Sequence, residues 1–140
     1  MIIHKTVAIV VNHADKFLLV KRANRPELGY WAVIGGHVEK NENVYEAAIR
    51  ETEEEAGSGI KVMKNPLFSF IHDVGIMHRH KCYVFKGRIV DQTKLRPGGD
   101  VKKIGFFTLK QIERMNITSY TLYIINKLLE KSFYSESSPT

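Results

Sequence analysis

The 140 residues carry 21 basic and 15 acidic side chains, a net charge of +6, and are 44% hydrophobic. That balance is ordinary for a globular chain with a proper core, and the single cysteine, Cys82, excludes an internal disulfide. The apolar start is too short to span a membrane and lacks the basic region and cleavage site of a signal peptide, so the expected protein is cytoplasmic and makes no membrane contact.

In chain order, Val7 to Val11 and Phe17 to Val20 are apolar runs joined by Asn12-His13-Ala14-Asp15-Lys16, the pattern of a β-hairpin. Arg22 to Tyr30, with Pro26 and Gly29, reads as a loop. Trp31 to Ile34 reads as a short strand ending at Gly35-Gly36. Asn43 to Ala56 is the first helix, opened by a capping box of Asn43 with Glu46 and closed by Gly57. Ile60 to Val74 is extended and interrupted by Pro66. Gly75 to His80 is a connection, and Lys81 to Val90 a strand. Asp91 to Asp100 is a loop, and Lys103 to Thr108 a short strand. Ile117 to Phe133 is the second long helix, with Leu122, Ile125, Leu128 and Leu129 on one face. Residues 1–134 are expected to form a single domain, with 135–140 as a flexible Ser- and Pro-rich tail. The order points to an α/β fold with a central mixed sheet between helices.

Charge is concentrated in the first helix. Seven acids (Glu39, Glu42, Glu46, Glu51, Glu53, Glu54, Glu55) and two bases (Lys40, Arg50) fall between positions 39 and 55. At about 100° per residue, Glu51, Glu54 and Glu55 share one helix face and Glu53 points away with Glu46. Ala47 and Ala48 lie on that same face and are expected to leave room for something to approach. Carboxylates near a helix C-terminus repel one another and the dipole. A hard divalent cation reverses the sign of that repulsion, and a plain solvated acidic surface is the alternative.

The preceding residues add a pattern. Gly36, five residues, Glu42, seven residues, then Arg50-Glu51-Thr52-Glu53-Glu54-Glu55-Ala56-Gly57-Ser58 resembles the Nudix box, with every fixed residue in place. Thr52 and Ser58 stand where apolar residues are usual, and Ile60 is a candidate to fill the role of Ser58. The likeness continues outside the box: Lys21-Arg22, Pro26, Gly29, Trp31 and Gly35-Gly36 look like the approach to the box in MutT-type proteins, though Ile34 replaces a usual proline. Asp100 to Leu109 looks like a late strand of that family.

This resemblance implies a Nudix-type α/β/α sandwich and a hydrolase that cleaves a pyrophosphate linkage with metal-activated water. It implies Mg²⁺ or Mn²⁺ held by Glu51, Glu54, Glu55 and the Gly36 carbonyl. Arg50 orients a carboxylate, Glu42 holds the loop closed, and Gly57 ends the helix. Asp100 is a further acid, either ligand or general base, against a plain turn aspartate; Glu54 competes with it for the role of base. Lys21, Arg22, Arg25, Trp31, Gly35, Gly36 and His37 are candidate substrate contacts. Trp31 as core and the cations as solvated surface are the alternatives. His78, His80 and Cys82 alternate on one strand face, a metal cluster only if a fourth ligand reaches them.

The substrate is approached by subtraction. The ADP-sugar branch carries a proline past the box where this chain has His72-Asp73, and the dinucleoside polyphosphate branch carries a tyrosine there. A MutT-like (deoxy)nucleoside triphosphate pyrophosphohydrolase is therefore expected. An ADP-ribose or ADP-sugar pyrophosphatase is the alternative. From another class, the positive charge suggests an RNA-binding or RNA 5′-end decapping protein. A small nucleotide as partner, with the chain as monomer or homodimer, completes the expectation.

Overall fold

The computed structural model describes residues 2–137, with side chains described through residue 130. The elements are β1 (Ile2–His13), β2 (Lys16–Arg22), β3 (Trp31–Ala32), β4 (Ile34–His37), α1 (Val44–Ala56), β5 (Ile60–Val62), β6 (Phe68–Gly75), β7 (His78–Ile89), β8 (Val101–Phe107), α2 (Leu109–Ile112) and α3 (Ser119–Ser137). None of the described helices is long and apolar enough to cross a membrane.

β1 organises the sheet. It runs parallel to β7 from Ile2↔His78 to Val11↔Gly87 and antiparallel to β4 from Thr6↔His37 to Ile9↔Ile34. β5 and β6 both pair with β7, while β2 pairs with β3 and β8. Thr6 to Val11 is buried without interruption because both sheet faces are covered. Val7, Ile9 and Val11 face a core shared with Ala47, Ala48 and Ala56 of α1. Ala8 and Val10 face a second core containing Ile112 of α2 and Ile124 and Ile125 of α3. The result is the expected α/β/α sandwich around a mixed sheet.

Several boundaries differ from expectation. The β1–β2 hairpin turns at Ala14-Asp15, both with positive φ, as a tight two-residue turn requires. Trp31 to His37 is two strands, because the Val33 N–H leaves the ladder and donates to Thr121 Oγ1 of α3. Pairing then continues through Gly35 and Gly36. β7 begins at His78, with Ile76-Met77 as the turn from β6. On α3 the buried positions are Thr121, Ile124 and Ile125, with Leu128 packed beside them. Leu122 and Leu129 are exposed, contrary to the expected stripe. α3 runs to Ser137, beyond the Phe133 end expected for the second long helix, and 138–140 of the expected tail lie outside the described residues.

Candidate active site

α1 begins as its sequence dictates. Asn43 accepts from the Glu46 N–H, and Glu46 accepts from the Asn43 N–H. At the far end Gly57, at φ +89°, passes so close to the Lys94 carbonyl that a side chain has no room. Ala47 and Ala48 do not leave an open approach to the helix; they are fully buried and let α1 lie against β1. The glutamates in line with them are consequently drawn toward the sheet.

The glutamates divide accordingly. Glu53 is exposed, and Glu54 is half exposed at the rim. Glu51 is largely covered, its carboxylate filling the space where a Cβ on Gly36 would sit. Gly36 must therefore be glycine for the acid to reach the strand. Glu55 is 5% exposed and does not join an open ridge. It pairs with Arg22 Nη1 and accepts from the Gly35 N–H at 3.1 Å.

Arg50 gathers the outer acids. It donates from Nε and Nη2 to Glu42 at 3.0 and 2.8 Å, and from Nη1 to Glu51 at 2.8 Å and Glu54 at 3.4 Å. Its Nη2 also donates to the His37 carbonyl at 2.9 Å. Glu42 accepts from the Glu39 N–H at 2.8 Å, so this fork ties down the loop between β4 and α1.

Burial raises the Glu51 pKa to about 7, against the pull of Arg50, with the charges of Glu55 and Glu54 pushing the same way. Burial also raises Glu55, in spite of Arg22. Glu42 is lowered by its hydrogen bond from Arg50. Burial works against the charge on Arg22, and Glu55 more than offsets it.

The remaining expected site residues scatter. Arg22, read as a phosphate grip, is a buried partner of Glu55 and Gly35 and cannot reach into solvent as placed. Trp31 is half-buried against Phe107, with Lys21 Nζ 6.0 Å from its ring. Arg25 is exposed in the 23–30 loop, and His37 is exposed beyond Gly36. Asp100 lies in the exposed loop before β8 and accepts from Asn24 Nδ2 at 2.6 Å; its charge also contributes to the upward push on Glu55. Asn24 and Glu39, which approaches Arg50 at 3.6 Å, escaped the sequence reading. Asn24 gave no signal, because its contact spans 76 positions.

Among the described residues, no three acidic or imidazole side chains already converge on a metal-sized gap. Arg50 stands between Glu42, Glu51 and Glu54, and Arg22 stands against Glu55, as a cation would. The donor set is nonetheless all oxygen, beside a Gly36 that leaves the backbone open, and fits a hard divalent ion.

A pH dependence follows. The folded protein holds a proton on Glu51 more tightly than the unfolded chain does. Without metal, stability therefore falls as pH rises from the ordinary 4.5 toward about 7. A cation at these carboxylates removes that penalty. The rise in melting temperature on adding saturating Mg²⁺ is expected to be larger at pH 8 than at pH 5. Equal shifts at both pH values, measured by differential scanning fluorimetry, would contradict it.

Comparison with known proteins agrees with this geometry. The family model of the NUDIX domain matches residues 3–125. An ADP-ribose pyrophosphatase of Methanocaldococcus jannaschii is 33% identical over 115 residues, which are 81% of this chain and 68% of that protein. A MutT NUDIX hydrolase structure from Burkholderia pseudomallei superposes with a TM-score of 0.74 at 24% identity, covering 88% of this chain and 95% of that one. A bifunctional NMN adenylyltransferase/ADP ribose pyrophosphatase from Francisella tularensis, crystallised with AMP and an Mn ion, superposes with a TM-score of 0.73 at 23% identity. It covers 91% of this chain and 41% of that one. With an intact motif folded around Gly36, Arg50 and Glu51, the chain belongs to the Nudix family, hydrolases of phosphoric anhydride bonds.

Proposed function

We propose that the chain hydrolyses the pyrophosphate of a nucleoside diphosphate derivative of the ADP-ribose type. The observation that carries the hydrolytic reading is the Glu51 carboxylate lodged against Gly36, with Arg50 bridging it to Glu42 and Glu54. Glu51, Glu54 and the Gly36 carbonyl would hold Mg²⁺ or Mn²⁺, with Glu55 joining them only by leaving Arg22. The bound ion supplies charge neutralisation on phosphate oxygens and a more acidic water. Arg50 fixes the orientation of Glu51 and Glu54, and Glu54, the most exposed acid of the set, is placed to accept a proton. Asp100 serves as a further acid at the rim. Arg25, exposed in the 23–30 loop, is the cation left free to meet the substrate, whereas Lys21 and His37 project from the opposite face of the sheet.

The substrate class rests on the relative at 33% identity, which reorders the expectation from sequence, where (deoxy)nucleoside triphosphates came first. Triphosphate hydrolysis is the second reading, favoured by His72-Asp73 at the position where the ADP-sugar branch carries proline. A panel of ADP-ribose, ADP-glucose, the four dNTPs and capped RNA, assayed with Mg²⁺ and with Mn²⁺, separates these. ADP-ribose is expected to give the highest kcat/KM. A dNTP ahead of it by about tenfold or more would install the second reading.

A further inference from the structure

Five of the six histidines meet on one face of the sheet. His4 of β1, His80 of β7 and His72 of β6 stand side by side on three adjacent strands, paired His4↔His80 and His72↔His80. His37 of β4 and His78 of β7 flank them. Ring centroids are 5.1 Å apart for His37–His80, 5.4 Å for His72–His80, 6.1 Å for His4–His80 and 6.4 Å for His4–His37. His78 stacks on His4 at 5.9 Å, nearly parallel, and orients it.

This face is opposite the carboxylates. Thr6, paired with His37, alternates with Val7, paired with Gly36, and the Gly36 side meets Glu51. Cys82, which alternation with His78 and His80 had suggested as a partner, drops out. It is buried in the core, and burial raises its thiol to about 11, far from the thiolate a metal needs. The missing ligands come instead from His4 and His72, each on a different strand from the His78–His80 pair.

We propose that His80, with His4, His72 and His37, forms a site for a borderline divalent transition metal such as Zn²⁺, separate from the carboxylate centre. A metal about 2 Å from a ring nitrogen lies about 3 Å from the ring centre, so tetrahedral ligation puts centroids about 5 Å apart. Of the six spacings that four ligands require, His37–His80 and His72–His80 already match. Those from His4 to His80 and His37 are wider, His72 is in ring contact with His80 but not with His4 or His37, and no three donor atoms among the described residues have converged. Histidine χ2 is a broad torsion, so the ring nitrogens re-aim at small cost, while closing the wider spacings takes a change of χ1 at His4. Imidazole nitrogen suits Zn²⁺ over Mg²⁺, whereas the oxygen set around Glu51 has the reverse preference. Burial and the neighbouring imidazoles lower His80, and burial lowers His72, which keeps both in the neutral, ligating form near pH 7.

The test is equilibrium dialysis of the intact protein against Zn²⁺ at neutral pH, with saturating Mg²⁺ present to occupy the carboxylates. About one Zn²⁺ per chain is expected, with affinity reduced about tenfold or more in His80→Ala and, separately, in His72→Gln. Circular dichroism checks that each variant is folded. Cu²⁺ substitution should give an electron paramagnetic resonance spectrum with nitrogen hyperfine splitting. No Zn²⁺ uptake overturns the proposal. So does uptake that both histidine variants retain and Glu51→Gln removes, or a Cu²⁺ spectrum of oxygen ligands alone.

Discussion

Glu51→Gln and Glu54→Gln are each expected to cut kcat on the best substrate of the panel by about a hundredfold or more. Glu53→Gln, one position from Glu54 but on the solvent side, should change it little. The two active-site variants should differ in kind. Glu51 is packed against Gly36 and carries a raised pKa, so its neutral amide fits the folded protein well. Glu51→Gln is therefore expected to be at least as stable as wild type without metal, and to lose the stabilisation by Mg²⁺. Glu54 is half exposed and touches Arg50 only at 3.4 Å, so Glu54→Gln should leave metal-free stability unchanged. Initial rates with Mg²⁺ varied, beside melting curves with and without Mg²⁺, check both statements. Full activity in either variant removes that glutamate from the site.

What the sequence made legible was local. The capping box of Asn43 and Glu46 and the Gly57 stop are contained within one short run of sequence, and both appear as expected. Long-range placement was less legible. Arg22 looked like a surface cation because it follows Lys21. Yet the two-residue period of β2 puts it in line with Leu18 and Val20, which face the core beneath α1. That period was available and points Lys21 to the other side, toward Trp31. α2 also had a signal, since Thr108 and Gln111 form a second capping box. His4 and His72 had none: only the β1–β7 and β6–β7 registers bring them to His80.

The Arg22–Glu55 pair gives the largest expected effect on stability. Both side chains are nearly buried, Arg22 also donates to the Gly35 carbonyl, and Glu55 accepts from the Gly35 N–H. The pair thus clamps one edge of β4 at Gly35, next to Gly36. Arg22→Met strands a carboxylate in the interior, and is expected to lower unfolding free energy by about 3–5 kcal/mol. The loss should shrink as pH falls, because Glu55 can then escape the penalty by taking a proton, and its pKa is already raised with Arg22 present. Arg22→Met/Glu55→Leu should regain much of the stability, since an apolar pair of similar size leaves no uncompensated charge. Recovery of stability without recovery of activity would place Glu55 in the chemistry as well as in the clamp. Urea unfolding of the three proteins at pH 5 and pH 8, beside their initial rates on the best substrate, measures all of this. A single variant within about 1 kcal/mol of wild type at pH 8 would show the pair to be no more than a surface contact.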